Sequence, residues 1–209
     1  MSLDFDSARL PNPHLTAEHE KWRTQIRRFF DREVIPFAGD WDEAGRIPDE
    51  LWRKSAAIGI LGLGYPERYG GVEEGIDIWY KNILNEEMAR IAVGGVSATL
   101  MVHGIALPPL INYASEAIKQ EIVPPVLAGS KRISLAITEP AAGSDVAQLQ
   151  TTARLDGDHY VVNGSKTYIT GGMNANWYTT AVRTGGEGSG GVSALLIPAD
   201  LAGVSRTAL

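Results

Sequence analysis

The stretch ISLAITEPAAGSD, residues 133–145, determines how the second half of the chain is interpreted. From Ile133 to Thr138, large apolar residues alternate with small ones, and this alternation predicts a β-strand. Pro140 ends the strand, because proline lacks an amide N–H and restricts the residue before it. The small residues 141–145 then let backbone amides approach a ligand closely. The stretch predicts either a loop that binds a phosphate or a flat cofactor edge, or an edge strand with a polar turn.

The spacing of hydrophobic residues changes near residue 130. Before it, apolar residues recur at helical spacing, with Thr16 placed to cap the first helix and Pro124-Pro125 together with Gly129 to close the helical half. After it, alternation predicts further strands at 151–155, 159–162, 167–170, 177–182 and 192–197. The predicted fold class is α+β, with an all-α helical domain over residues 1–130 and an antiparallel, barrel- or sandwich-like β-sheet domain over residues 131–209.

Composition narrows the class of protein. The chain has 209 residues, of which 44% are hydrophobic and 21% charged, so we expect a packed core. Its net charge of −6 argues against a nucleic-acid or anionic-membrane surface. The absence of cysteine excludes disulfides, zinc–thiolate sites and a cysteine nucleophile. No apolar run has the length of a membrane span and the N-terminus lacks a secretory signal, so we expect a cytoplasmic, bacterial-type protein without a metal site.

Two motifs resemble those of one enzyme family. TEPAAGSD (residues 138–145) resembles the TEPxAGSD motif of the acyl-CoA dehydrogenases, and NGSKTYIT (residues 163–170) resembles their NGxKxWIT or NGxKxFIT segment. Tyr168 stands where the family commonly has tryptophan or phenylalanine, which is a mild departure. The resemblance covers nearly the whole chain and implies the N-terminal and middle domains of that family, truncated before its C-terminal four-helix bundle.

The resemblance also implies a bound FAD. The Thr138 hydroxyl would contact the pyrimidine edge of the flavin, and Ser144 would contact both the cofactor phosphates and the acyl-CoA. Tyr168 would pack on the flavin face, with the Thr170 hydroxyl near N5. The full set of residues implied to bind the cofactor is Leu135, Ala136, Ile137, Thr138, Gly143, Ser144, Tyr168, Ile169 and Thr170.

For the substrate, the resemblance assigns the helix from Val96 to the floor of an acyl pocket lined by Ser97, Leu100 and Met101. The same small residues are equally compatible with close helix packing. The family's catalytic base is a glutamate that is expected beyond Leu209, so the catalytic residue is not identified in this chain. Glu86 is predicted instead to form a solvated ion pair with Arg90, four residues away.

The function implied is α,β-dehydrogenation of an acyl-CoA thioester to trans-2-enoyl-CoA, with hydride transfer to flavin N5 and a role in fatty-acid metabolism. An electron-transfer flavoprotein would accept the electrons, and the full-length protein would be a homotetramer or a dimer. Acyl-CoA oxidases and flavin monooxygenases of the same fold remain alternatives, as does a non-catalytic scaffold that lacks the base. A generic nucleotide-binding module is poorly supported, because the chain has no GxGxxG or Walker sequence.

Overall fold

The structure is a computed structural model that describes residue 4 and residues 6–208. By its internal contacts the chain divides into two compact units. The first unit contains the chain through Met101 together with Gln120–Ser130, and the second contains Val102–Lys119 with the chain from Lys131 onward. The domain boundary near residue 130, which was inferred from periodicity, stays a prediction.

Helices form the first unit and the beginning of the second. In the described part of the chain the α-helices are α1 (Ala17–Glu33), α2 (Ala38–Glu43), α3 (Asp49–Ala57), α4 (Ile78–Ala89), α5 (Gly94–Met101), α6 (His103–Ala106), α7 (Pro108–Tyr113) and α8 (Glu116–Leu127). Among these, no single helix is long and apolar enough to cross a membrane, and only α5 taken together with His103–Tyr113 reaches that length and composition.

The packing of α1 on α4 organises the first unit. The predicted cap of α1 is confirmed: the Thr16 hydroxyl accepts from the His19 amide, and the His19 ring accepts from the Thr16 amide at 3.0 Å. Asp77 caps α4 and also binds His19 Nε2 at 3.0 Å, so both helix starts are joined. Apolar side chains of both helices are buried in one core with those of α3 and α5, including Ile26, Phe30, Leu51, Trp52, Leu84 and Leu100.

A buried ion cluster crosses the α1–α4 interface, and it corrects one prediction. Glu87 is 1% exposed and accepts hydrogen bonds from Arg27 Nε and Nη2, both at 2.8 Å, and from Arg23. Glu86 binds Arg23 at 2.5 Å, whereas Arg90 pairs with Asp31 and Glu87. The predicted Glu86–Arg90 pair is therefore wrong, because α1 brings arginines to this face of α4.

Helix α8 continues through Pro124 and Pro125, where it was predicted to end. Proline keeps its carbonyl, and the carbonyl of Pro124 accepts from the Ala128 amide at 2.9 Å. The helical region closes at Gly129, which was predicted to end it together with the prolines and whose φ of 71° favours glycine. A side chain at this position would overlap the Trp52 carbonyl, so the close approach to α3 also requires glycine.

The second unit contains a five-stranded mixed sheet. Its strands are β1 (Ile133–Ala136), β2 (Thr152–Asp156), β3 (His159–Asn163), β4 (Trp177–Arg183) and β5 (Val192–Pro198), in the order β1-β4-β2-β3 with β5 also on β4. Two of the strand pairs, β2–β3 and β4–β5, are antiparallel. Strand β1 pairs with β4 in parallel register. Strand β2 also pairs with β4 in parallel, through Thr152 and Arg183. The helical-then-sheet architecture is confirmed, and the prediction of an antiparallel sheet is wrong. The long connection between β1 and β4 allows their parallel pairing.

The strand predicted at 167–170 is absent from the described secondary structure. Tyr168 has a φ of 56°, in the left-handed region, and this residue breaks the extended backbone. The first strand also ends earlier than predicted, at Ala136, so that Ile137 and Thr138 lie beyond it. Both motif segments are therefore loops that leave the sheet.

Candidate functional site

The two sequence motifs lie side by side in the second unit and are joined by hydrogen bonds. The Thr167 amide donates to the Thr138 carbonyl at 2.9 Å. Lys166 Nζ donates to the Ile137 carbonyl at 2.9 Å, and the buried Ser134 hydroxyl donates to the Thr170 carbonyl at 2.8 Å. These contacts connect segments about thirty residues apart into a single surface.

A buried ion pair fixes the junction of the two motifs. The Glu139 side chain accepts from Lys166 Nζ at 2.7 Å and from the amides of Gln150 and Thr151 at 2.6 and 2.9 Å. Glu139 is only 5% exposed. Burial alone raises the pKa of this carboxyl, but Lys166 and the donors of Thr151 and Gln150 outweigh it and lower the pKa to about 2. Glu139 is therefore a permanently ionised structural group at neutral pH.

After Glu139 the chain makes a tight turn and then becomes exposed. The Glu139 amide donates to the Ala142 carbonyl at 2.8 Å, and the Ala142 amide donates back at 3.2 Å. Gly143 and Ser144 are exposed, and within the described residues their amides and the Ser144 hydroxyl have no hydrogen-bond partner. The Asp145 carboxylate accepts from the Ala147 amide at 3.2 Å, which ends the loop. This loop has free donors for an external polar ligand.

Tyr168 adds an exposed aromatic ring to the same surface. Its side chain is 76% exposed although its backbone holds the left-handed conformation that costs a non-glycine residue on the order of 1 kcal/mol. Two hydrogen bonds fix the loop after Tyr168. The Gly172 amide donates to the Ile169 carbonyl at 2.8 Å, and the Tyr178 hydroxyl donates to the Gly172 carbonyl at 2.6 Å. A strained backbone that presents an aromatic ring to solvent is typical of a ligand-binding segment.

The other residues implied to bind the cofactor lie around these loops. Thr138 is half-buried and Thr170 exposed, and within the described chain neither hydroxyl has a hydrogen-bond partner. Ala136 is buried in a small apolar cluster against which Ile169 packs, so only its backbone can meet a ligand. The remaining two, Leu135 and Ile137, are half-buried.

The residues implied to line an acyl pocket lie on α5, in the first unit. Leu100 is fully buried in the helical core, and Met101 packs against that core. Ser97 lines a shallow cavity of about 290 Å³ together with Asn85 and Ala92. Ala92 has a φ of 59°, so the cavity lies beside a strained turn.

Sequence reasoning named the exposed loop residues and missed the residues that hold them. Lys166 and Ser134 make the bonds between the motifs, and neither was assigned a role. Glu139 lies in one motif and Lys166 in the other, and the sequence could have predicted that they pair, because a buried charge requires a partner. No comparable signal exists for Ser134, whose contact is with a backbone carbonyl.

Comparisons with known proteins agree with this arrangement. Residues 16–130 match the family model for the acyl-CoA dehydrogenase N-terminal domain, and residues 134–209 match the model for its middle domain. The acyl-CoA dehydrogenase apdG of Emericella nidulans is 35% identical over 206 residues, which cover 90% of this chain and 47% of apdG.

Solved structures give the same result. A Mycobacterium smegmatis protein described as an acyl-CoA dehydrogenase is 48% identical with a TM-score of 0.85, over 90% of this chain and 49% of that one. A glutaryl-CoA dehydrogenase from the same organism, solved in complex with FADH2, is 28% identical with a TM-score of 0.82, over 95% of this chain and 49% of that one. The chain thus spans about half the length of these relatives. It belongs to the acyl-CoA dehydrogenase family, whose N-terminal and middle domains it matches.

Proposed function

We propose that this chain forms the flavin-binding portion and part of the substrate site of an FAD-dependent acyl-CoA dehydrogenase. One observation carries the proposal: the two motif loops are bonded to each other and present free donors and an exposed ring on one surface. The bonds are Thr167 to Thr138 and Lys166 to Glu139, and the exposed ring is Tyr168.

The residues present fit a flavin. Its ring has a flat apolar face, which suits the exposed Tyr168 ring, and a polar edge, which suits the unpaired hydroxyls of Thr138 and Thr170. The free amides of Gly143 and Ser144 suit a phosphate oxygen. Bound FAD would supply the acceptor for the hydride that leaves the β-carbon of an acyl-CoA.

The substrate role assigned to this chain is limited to contacts. Ser144 would hydrogen-bond the acyl-CoA, and Ser97, Leu100 and Met101 would border the acyl group. Leu100 would act through the shape of the core in which it is buried, and Ser97 through the cavity that it lines. The base that removes the α-proton is expected from a glutamate beyond Leu209. Glu139 is unsuited to that task, because a carboxyl with a pKa of about 2 is a weak base.

The proposal extends to partners and setting. Membership of the family supports an electron-transfer flavoprotein as the electron acceptor, a homotetrameric or dimeric full-length protein and a role in fatty-acid catabolism in the bacterial cytoplasm. Size-exclusion chromatography with light scattering tests the oligomeric state, and a monomer of the full-length protein would contradict it.

Flavin uptake is the first experiment. Purified chain is mixed with FAD, freed of excess cofactor and examined by visible absorption. We expect a flavin spectrum that is lost in Thr138→Val and Tyr168→Ala. Tyr160→Ala is the matched control, because Tyr160 is also an exposed tyrosine but lies on β3, outside both motifs. A colourless protein that takes up no FAD would contradict the proposal and favour the non-catalytic scaffold.

The reaction is tested by anaerobic addition of acyl-CoAs of several chain lengths to the flavin-loaded, full-length protein. A dehydrogenase loses its visible flavin absorption with the preferred substrate, and it makes little peroxide when oxygen is admitted. Rapid stoichiometric peroxide formation would instead identify an acyl-CoA oxidase, and flavin that no acyl-CoA reduces would refute dehydrogenation.

A further inference from the structure

Arg183, the last residue of β4, is surrounded by backbone carbonyls. Its Nε donates to Leu149 at 3.0 Å and its Nη2 to Ala147 at 2.7 Å. Its Nη1 donates to Gly186 at 2.6 Å and to Gly188 at 3.1 Å. The side chain thus makes four hydrogen bonds to carbonyls in two separate segments.

These contacts join three parts of the second unit. Ala147 and Leu149 belong to the segment directly after Ser144, whereas Gly186 and Gly188 belong to the turn between β4 and β5, residues 185–191, here called the glycine turn. The amide of Arg183 itself donates to the Thr151 carbonyl at 2.7 Å, at the start of β2. Arg183 is therefore the common anchor of the Ser144 loop, the glycine turn and β2.

The glycine turn is shaped around this side chain. Thr184 and Gly185 both donate through their amides to the Gly191 carbonyl, at 3.0 and 3.1 Å, which closes the turn. A side chain on Gly191 would overlap the Gly186 carbonyl and come within 2.9 Å of Arg183 Nη1. The turn therefore needs glycine where it approaches the guanidinium.

Two properties distinguish arginine from any other residue here. Its planar group carries five N–H donors in a fixed fork, so it reaches carbonyls in two directions where lysine or glutamine could serve fewer. Carbonyls are dipoles and carry no net charge, and among the described residues no carboxylate pairs with Arg183. Four of its five N–H donors are therefore used on carbonyls of the two segments, each of which also carries an acidic residue, Asp145 or Glu187.

We propose that Arg183 is a positioning residue for acyl-CoA binding, which holds the Ser144 loop against the glycine turn. The inference rests on the proposed function, because Ser144 is assigned there to acyl-CoA contact. Arg183 acts through the two loops that it joins.

The test removes the anchoring contacts of Arg183 with and without removing its charge. Arg183→Met removes the fork and the charge, Arg183→Lys keeps the charge, and Arg154→Met is the control, because Arg154 is an exposed arginine on the hairpin with a side chain 73% exposed. Amide hydrogen exchange is followed over residues 145–150 and 185–191 without ligand, and the Kd for coenzyme A is measured with flavin-loaded full-length protein.

We expect faster exchange in both segments for Arg183→Met and a Kd for coenzyme A raised about tenfold, because the Ser144 loop would then have to be ordered on binding. Arg183→Lys, which keeps the charge but lacks the fork, should exchange as fast as Arg183→Met and lose coenzyme A affinity by a similar factor. Arg154→Met should change neither quantity. If Arg183→Met fails to fold, the lysine variant still gives both measurements.

Unchanged exchange in the Arg183 variants would overturn the anchoring role, and unchanged coenzyme A affinity would overturn the binding role. Failure of the proposed function has a different signature: the wild-type protein would take up no FAD, while the exchange measurement, which needs no ligand, would still decide whether Arg183 anchors the loops. Wild-type protein that binds FAD but not coenzyme A would refute this inference and leave flavin binding intact.

Discussion

The pair between Lys166 and Glu139 provides the sharpest test of how the two motif loops are held together. Lys166→Met removes the 2.7 Å contact with Glu139 and the 2.9 Å bond to the Ile137 carbonyl, and it leaves a carboxylate that is 5% exposed without its cation. Glu139 would retain only the amides of Gln150 and Thr151. Breaking a buried pair from one side is costly, because the remaining charge is desolvated and unpaired.

The pKa of Glu139 sets the magnitude. A carboxyl whose pKa falls from 4.5 to about 2 on folding contributes about 3 kcal/mol to stability at neutral pH, an upper value because solvent screening weakens such interactions. Since the folded pKa is the lower one, this stability is present in full above about pH 4.5 and is lost as pH falls through 2. We expect Lys166→Met to cost about 2–3 kcal/mol at pH 7 and roughly half of that at pH 3.

Urea denaturation of both proteins at pH 7 and pH 3 measures this difference. Lys54→Met is the matched control, because Lys54 also contacts two acidic side chains, Glu33 and Glu50, but at an exposed site where the effect should be far smaller. A loss below about 1 kcal/mol for Lys166→Met, or a loss of equal size at both pH values, would refute the reasoning.

Three further substitutions test other parts of the structure. Glu87→Gln should lower the free energy of unfolding by about 3 kcal/mol in urea, because three arginines would lose their buried carboxylate, whereas the exposed Glu18→Gln should have no measurable effect. Gly164→Ala should lower the free energy of unfolding, measured by thermal denaturation, by at least about 2 kcal/mol more than Gly157→Ala does. A methyl group at 164 would overlap Thr151, whereas a methyl group at 157 meets open space. Equal losses in the two variants would contradict this. Tyr168→Gly should stabilise the chain by about 1 kcal/mol, because glycine relieves the strain of the left-handed backbone at this position. Its affinity for FAD should fall about tenfold in a flavin titration. Unchanged affinity would show that Tyr168 does not belong to the proposed site.

Elements with strong local signals were predicted well. The Thr16 cap occurs, and so do the two strands predicted at 151–155 and 159–162, which form the β2–β3 hairpin, because both features depend on residues close together along the chain. The motifs TEPAAGSD and NGSKTYIT were recognisable because their letters and spacing are themselves local information, and family membership followed from them.

Predictions failed where distant contacts outweighed local preference. Thr167–Thr170 has the composition of a strand, yet the hydrogen bond that its Thr167 amide donates to the Thr138 carbonyl and the one that Ser134 donates to the Thr170 carbonyl hold it as a loop, with Tyr168 in a strained conformation. Glu86 has an arginine at the favoured helical spacing, but α1 supplies a different one from across the interface.

By itself the sequence determined the helical half followed by a β-sheet half, the family and the identity of the exposed residues in the two motifs. Only the tertiary structure decided that β1 pairs with β4 in parallel, that Glu139 is buried on Lys166 and that one arginine anchors two loops. Caps and turns are set by bonds between near neighbours along the chain. Strand direction, burial of a charge and the partners of a guanidinium depend on segments tens of residues apart, which no local pattern records.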